Sequence, residues 1–213
     1  MTGGSGGVGQ AVVRRLEADG WAVVSWSRTG GIDAADEMQV ERAAARLRRW
    51  DALVNNAAVL FCDPVDAIAE EHRREILAVN LEAPAALIAA VAPRMRERRS
   101  GRIVNVSSVA AFTGHPDLWY GVTKAGLLNL TKAWARALGP HGVLVNAVAP
   151  GPTKTRMYDQ LPQSRRDDTM RSVYSGRVCE PEEVAAAILW LGIACPEYVN
   201  GTTLDVNNGS YPR

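Results

Sequence analysis

What most constrains the fold of this chain is an alternation that runs along nearly all of its 213 residues. Short apolar runs rich in β-branched residues stand at 22–26, 52–54, 102–106, 143–148 and 203–206. Between them lie helical periodicities at 10–18, 36–50, 70–98, 119–138 and 181–194. A strand buried on both faces reads as a continuous apolar run, and strand–helix–strand succession demands a parallel sheet covered on both sides. One such domain over 1–213 suits the length, since single cores keep growing up to about 250 residues. In open parallel sheets ligands bind beyond the carboxyl ends of the strands, so the residues that follow each run are where chemistry belongs.

Composition narrows the partners. With 24 Lys+Arg against 23 Asp+Glu and no basic run, the net charge of +1 argues against nucleic acid or an anionic membrane surface. No apolar run approaches the roughly 20 residues of a membrane helix; the Ala-rich stretch 83–92 is bounded by Pro84 and Pro93. Cys62, Cys179 and Cys195 are far apart and lack metal spacing, which fits thiols in a reducing compartment. No leader pattern stands at the N-terminus. A cytoplasmic protein without a metal site is therefore expected.

The opening reads Thr2-Gly3-Gly4-Ser5-Gly6-Gly7-Val8-Gly9 and leads directly into a helical pattern closed by Gly20. Glycines let backbone N–H groups approach a pyrophosphate, and a helix N-terminus favours negative charge. At the end of the 22–26 run stand Ser27 and Arg28. An acidic residue there would hold ribose hydroxyls and repel a 2′-phosphate, whereas an Arg meets a phosphate with two charge-assisted bonds. NADP(H) is favoured over NAD(H). Two departures from a regular plan stand out. Only Met1 and Thr2 precede the glycines, and only 29–32 link Ser27 to Asp33, against about a dozen residues for a full crossover. The expectation is a sheet with its first strand missing and one flanking helix shortened.

Further along stand Asn55-Asn56-Ala57-Ala58, then Asn80, then Ser107-Ser108, then Tyr120-Gly121-Val122-Thr123-Lys124, and finally Pro150-Gly151-Pro152-Thr153-Lys154-Thr155. With the glycine-rich opening, this order resembles the short-chain dehydrogenase/reductase family over essentially the whole chain. The resemblance implies a Rossmann-type doubly wound parallel sheet in three layers and an enzyme that interconverts carbonyl and alcohol groups with a nicotinamide cofactor.

The Tyr-x-x-x-Lys spacing has a physical content of its own. Residues four apart on a helix share a face, so Lys124 lies beside Tyr120. A cation about 4 Å from a phenol, at an effective dielectric near 20, is worth about 4 kcal/mol, close to three pKa units. Lys124 is thus expected to bring Tyr120 from about 10 toward working pH. By the resemblance, Tyr120 is the general acid/base, Lys124 lowers its pKa and holds the nicotinamide ribose, and Ser108 polarises the substrate oxygen. Asn80 holds a water beyond Lys124. Ser107 stands as the alternative to Ser108, and either serine also suits a plain cap. The resemblance assigns the cofactor to Thr2, Gly3, Ser5, Gly7, Val8 and Gly9 at the phosphates, and to Arg28 at the 2′ end. Asp33 and Ala34 flank the adenine, and Asn55 and Ala57 the adenosine side, with Ala58 replacing the family's usual glycine. Tyr120, Lys124, Pro150, Gly151 and Thr153 take the nicotinamide half, and Thr155 meets the phosphates.

The stretch 157–177 is polar, interrupted by Pro162 and without a clean period, and the resemblance implies a lid over the substrate at about 153–180. Phe61, His115, Leu118, Trp119 and Tyr158 are expected around the pocket. Many relatives of this look reduce 3-oxoacyl groups on an acyl carrier protein, docked by basic residues such as Arg99 here, with largely neutral His141 at the second position. A small-molecule carbonyl or alcohol, free or carrier-linked, is the expected partner. Pairing through the helices at 70–98 and 119–138 into a dimer or tetramer is expected on the same ground. The rival expectation, prompted by the missing strand, is a degenerate subunit or nucleotide-sensing scaffold without turnover.

Overall fold

The computed structural model describes residues 1–27, 30–33, 36–46 and 49–212. Along the chain run α1 (Gly7–Ala18), α2 (Glu37–Arg46), β1 (Ala52–Asn55), α3 (Glu70–Leu77), α4 (Ala83–Arg98), β2 (Gly101–Val106) and α5 (Leu118–Leu138). They are followed by β3 (Val143–Pro150), α6 (Arg156–Asp159), α7 (Gln163–Ser172), α8 (Pro181–Leu189) and β4 (Thr203–Val206). The four strands pair in parallel in the order β1-β2-β3-β4. In register, Asn55 stands opposite Asn105 and Asn105 opposite Ala147.

Side chains alternate between the faces of a strand, and here the alternation separates two cores. Leu53, Ile103, Val143 and Val145 face Leu87, Ile88, Val91 and Met95 of α4 and Ala135 and Leu138 of α5. Val54, Val104, Leu144 and Val148 face Ala11 and Val12 of α1 and Val184 and Ile188 of α8. β3 is buried along its whole length, as a central parallel strand must be. The layers are helix, sheet, helix, as the alternation in the sequence requires.

The first-strand expectation is met in a specific way. Met1 and Thr2 lie between β1 and the 21–26 segment. Thr2 N–H donates to Val54 O at 3.0 Å, Trp26 N–H to Met1 O at 2.8 Å and Gly3 N–H to Trp26 O at 2.8 Å. The run at 22–26, expected as a strand, makes a single bridge at Trp26 and is otherwise irregular. A ladder needs a neighbour, and only Met1 and Thr2 run alongside it. Its side chains show the consequence, with Trp21 40% and Val24 41% exposed. Gly30 and Ile32 N–H both donate to Ser27 O.

The helical stretch 70–98 is broken by a π-helical turn over Ala78–Glu82. Such single-turn widenings re-aim one side chain, frequently at a functional site, and this one carries Asn80. By length and composition Glu70–Arg98 would reach across a membrane, with a hydropathy of 1.7. Half of that window is buried in the fold, which accounts for its apolar character.

Candidate active site

A cleft of about 510 Å³ runs over the carboxyl ends of the strands. Its first third is built by the glycine loop. Thr2, 3% exposed, accepts from Asn56 N–H and Ala57 N–H through Oγ1, each at 3.1 Å. Asn56 Nδ2 donates back to Gly3 O at 3.0 Å. The loop is thereby tied to the segment after β1, and there is no room for side chains on its inner side. A Cβ on Gly3 would stand 2.8 Å from Asn56 Nδ2, and one on Gly9 2.0 Å from Gly3 O. On the outer side a Cβ at Gly6 would meet nothing within 4 Å. Gly6 precedes α1, whose first turn has neither a side-chain cap nor an acidic residue. Its leading N–H groups are left for an anion.

Of the residues expected to meet the cofactor, Gly3, Ser5, Gly7, Val8, Asp33, Ala57, Pro150, Gly151, Thr153 and Thr155 line this cleft. Thr2, Gly9 and Asn55 do not. Thr2 and Gly9 shape the loop from behind. Asn55, 2% exposed, turns into the sheet and donates to Asn105 Oδ1 at 2.8 Å. Asn105 in turn donates to Thr131 Oγ1 at 2.9 Å. The adjacent Asn56 is the one that lines the cleft, together with Trp26, Ser27 and Ile32. Two neighbouring asparagines offer no sequence signal to separate them; strand parity does, since Asn55 shares with Leu53 the face of β1 that packs toward α4 and α5. Arg28 and Ala34 lie outside the described residues.

At the other end Tyr120 and Lys124 stand one turn apart on α5, 8% and 2% exposed. Ser108 stands near enough to the Tyr120 phenol to oppose its upward shift, and Ser108 Oγ accepts from Ala110 N–H at 3.1 Å. Ser107 instead donates to Lys124 O at 2.9 Å, anchoring the strand end to the helix. The two serines are thus distinguished: Ser108 faces the phenol. Asn80, fully buried, does not line the cleft. Its Oδ1 accepts from Val59 N–H at 2.9 Å, and its Nδ2 donates to Val59 O at 3.0 Å and weakly to Thr123 Oγ1 at 3.4 Å. Through Thr123, whose Oγ1 donates to Tyr120 O at 3.0 Å, it buttresses the turn of α5 that carries Tyr120.

The expected acidification of Tyr120 by Lys124 is not what the site displays. Burial pushes the phenol up to about 12, with the nearby Asp117 charge adding and Ser108 opposing. Burial also pushes Lys124 down to about 8. The reason is geometric. Lys124 Nζ donates to Val106 O at 2.8 Å and lies 5.6 Å from the centre of the Tyr120 ring. Desolvation, which acts on the charged form of each group, therefore outweighs their mutual attraction.

Over this end lie α6, α7 and the link between them, contributing Met157, Tyr158, Leu161, Arg165 and Thr169 to the wall. The sequence between 157 and 177 shows no helical period, yet α7 forms. Of the residues expected around the pocket, His115 and Tyr158 line it. Phe61 stacks on His72 at 3.9 Å, Trp119 lies under Arg73 at 5.6 Å, and Leu118 is 41% exposed. Arg99 donates to Pro140 O, so its side chain lies beside the Pro140–His141 turn.

Comparison with known proteins agrees with this geometry. The family model described as enoyl-(acyl carrier protein) reductase matches residues 31–210. The 3-oxoacyl-(acyl-carrier-protein) reductase FabG of Thermotoga maritima is 37% identical over 80% of this chain and 70% of its own length. Dehydrogenase/reductase SDR family member 4 of Mus musculus is 34% identical over 100% of this chain and 86% of its own. Among solved structures, a blue fluorescent protein from a metagenomic library, in complex with NADPH, superposes with a TM-score of 0.88 at 28% identity. That superposition covers 99% of this chain and 96% of the other.

Proposed function

Since the chain belongs to the short-chain dehydrogenase/reductase family of oxidoreductases, we propose that it interconverts a carbonyl group and a secondary alcohol with NADP(H), Tyr120 moving the proton. The observation that carries this is the convergence of Tyr120, Ser108 and Lys124 at one end of a cleft whose other end is a side-chain-free loop on a helix N-terminus.

The cradle fits a dinucleotide. Gly3, Ser5, Gly7, Val8 and Thr155 would face its phosphates, Ser27 and Asp33 its adenosine end, and Gly151, Thr153 and Lys124 its nicotinamide end. When bound, NADP(H) supplies or accepts the hydride. The chain does the rest. In the reductive direction Ser108 and Tyr120 donate hydrogen bonds to the substrate oxygen, and donors fixed where negative charge develops are among the strongest catalytic devices. A phenol pushed up to about 12 is fully protonated at neutral pH, which suits it as the proton donor of that step. Lys124, at about 8, is mostly an ammonium at neutrality and lends positive charge to the oxygen as it becomes an alkoxide. Asn80 acts as the buttress of that turn. Burial by α6 and α7 keeps water from the reacting atoms, so 153–180 serves as the substrate lid.

An acyl thioester on a carrier protein is the substrate class supported by the Thermotoga relative's name; an unlinked ketone is the other. Pairing of two copies through α4 and α5 and a reducing, cytoplasmic setting for the three unbridged cysteines belong to the same proposal. No observation favours a scaffold without turnover. The test is NADPH oxidation by the purified protein against a panel of ketones and 3-oxoacyl thioesters, with NADH in parallel. Turnover with NADPH is expected. No consumption with any compound, together with no thermal stabilisation by NADPH, would overturn the proposal.

A further inference from the structure

Two segments far apart in sequence meet over the acid/base end of the cleft. Asp117, the residue before α5, is 4% exposed. A buried carboxylate survives only when paired and hydrogen-bonded. Its partner comes from the lid, where Arg165 in the first turn of α7 meets it fork to fork. Nη1 donates to Oδ1 at 3.1 Å and Nη2 to Oδ2 at 2.5 Å. His115 flanks the same carboxylate at 3.4 Å and accepts from Asp117 N–H at 3.2 Å. Cys62 lies close enough to Arg165 for the two to shift each other's titration. On its own helix it is held by Thr169, whose Oγ1 donates to Arg165 O at 2.6 Å.

The remainder of α7 explains why this pair matters. The helix has no buried residue of its own; buried Val173 caps its C-terminal end, far from its first turn. Its other ion pair, Arg171 with Asp168, lies within the helix and is exposed. Among the described residues, Arg165–Asp117 is the ion pair that ties α7 to the body, and bidentate Arg–carboxylate geometry is the strongest form such a tie takes.

We propose that the Arg165–Asp117 pair is a latch that seats the lid on the end of α5 carrying Tyr120, with both residues acting as positioning residues. This rests on the dehydrogenase/reductase reading of the cleft. Asp117 is three residues before Tyr120, so the latch couples two events. Closing covers the substrate, and it neutralises the carboxylate nearest the phenol at the moment the phenol must give up its proton. Opening exposes the cleft and leaves that carboxylate to water.

The test uses the full chain with Arg165→Gln and Arg165→Lys, read by NADPH turnover on the best carbonyl substrate and by amide hydrogen exchange over 163–172. Arg165→Gln should raise KM about tenfold or more while kcat falls less, and quicken exchange in α7 about tenfold. Arg165→Lys, which keeps the charge but not the fork, should recover part of both. Asp117→Asn should repeat the Arg165→Gln pattern. If that variant does not fold, the Arg165 pair alone decides. Turnover with wild-type KM and wild-type exchange in Arg165→Gln would overturn the latch. Exchange needs no substrate: faster exchange in a protein that consumes no NADPH would uphold the latch and sink the reaction assigned to the cleft.

Discussion

Lys124 carries a cost that pH can reveal. It is 2% exposed and donates to Val106 O, and burial pushes it from 10.5 down to about 8. Each pKa unit corresponds to 1.36 kcal/mol, so the folded state bears about 3 kcal/mol for holding the ammonium. The sign follows from proton counting. Below pH 8 both folded and unfolded chains hold the proton, and the full cost is present. Between the folded and unfolded values the unfolded chain binds more protons, so stability rises with pH. Lys124→Met keeps the length of the stem and removes the titration. It also orphans Val106 O, at about 1–3 kcal/mol, but that loss does not depend on pH and cancels in the comparison. Denaturant unfolding of both proteins at several values from pH 7 to 10 is the assay. The wild type should gain about 2–3 kcal/mol on the variant across that range, nearly all of it above pH 8. Parallel stability curves would refute a lysine held at about 8, and with it the claim that desolvation outweighs attraction between Lys124 and Tyr120.

Two further outcomes separate neighbouring residues. Gly9→Ala drives a methyl against Gly3 O and should cost about 1–3 kcal/mol, seen as a lower Tm, whereas Gly6→Ala should leave Tm unchanged. Because Gly6 lines the cleft at the head of α1, its alanine variant should still lose NADPH affinity by about tenfold in a fluorescence titration. Equal Tm values for the two variants would contradict the packing described. Ser108→Ala should lower kcat by about 10²–10³. Ser107→Ala, which loses only an anchor to Lys124 O, should cost about 1 kcal/mol of stability and little rate; the reverse order would exchange their roles.

Much of this site was legible before the fold was known, because its parts are local. Tyr120 and Lys124 share a helix face by spacing alone, and the glycines of the loop announce a close approach of backbone to ligand. The strands at 52–55, 101–106, 143–150 and 203–206 follow from apolar runs that only a doubly covered sheet accommodates. What escaped is non-local. The 22–26 run has strand composition, but its ladder depends on a neighbour that only Met1 and Thr2 supply. α7 has no apolar stripe; among the described residues the ion pair that ties it to the body reaches 48 residues back along the chain, and no periodicity encodes that. That Asn56 lines the cleft while Asn55 does not is set by where β1 ends. Phe61 and Trp119 found partners in His72 and Arg73 on α3, so aromatic character did not translate into pocket lining. The shift of Tyr120 lies beyond spacing: spacing gives proximity, while burial pushes the phenol up and Lys124 Nζ is engaged by Val106 O.

The most direct measurement is the turnover of Tyr120→Phe on the carbonyl compound that the wild type reduces fastest, with NADPH binding followed in parallel by thermal shift. Removing one hydroxyl beside Ser108 should leave cofactor stabilisation in place and slow NADPH consumption by about 10²–10⁴. A phenylalanine variant that binds and consumes NADPH at the wild-type rate would contradict the assignment of the proton to Tyr120.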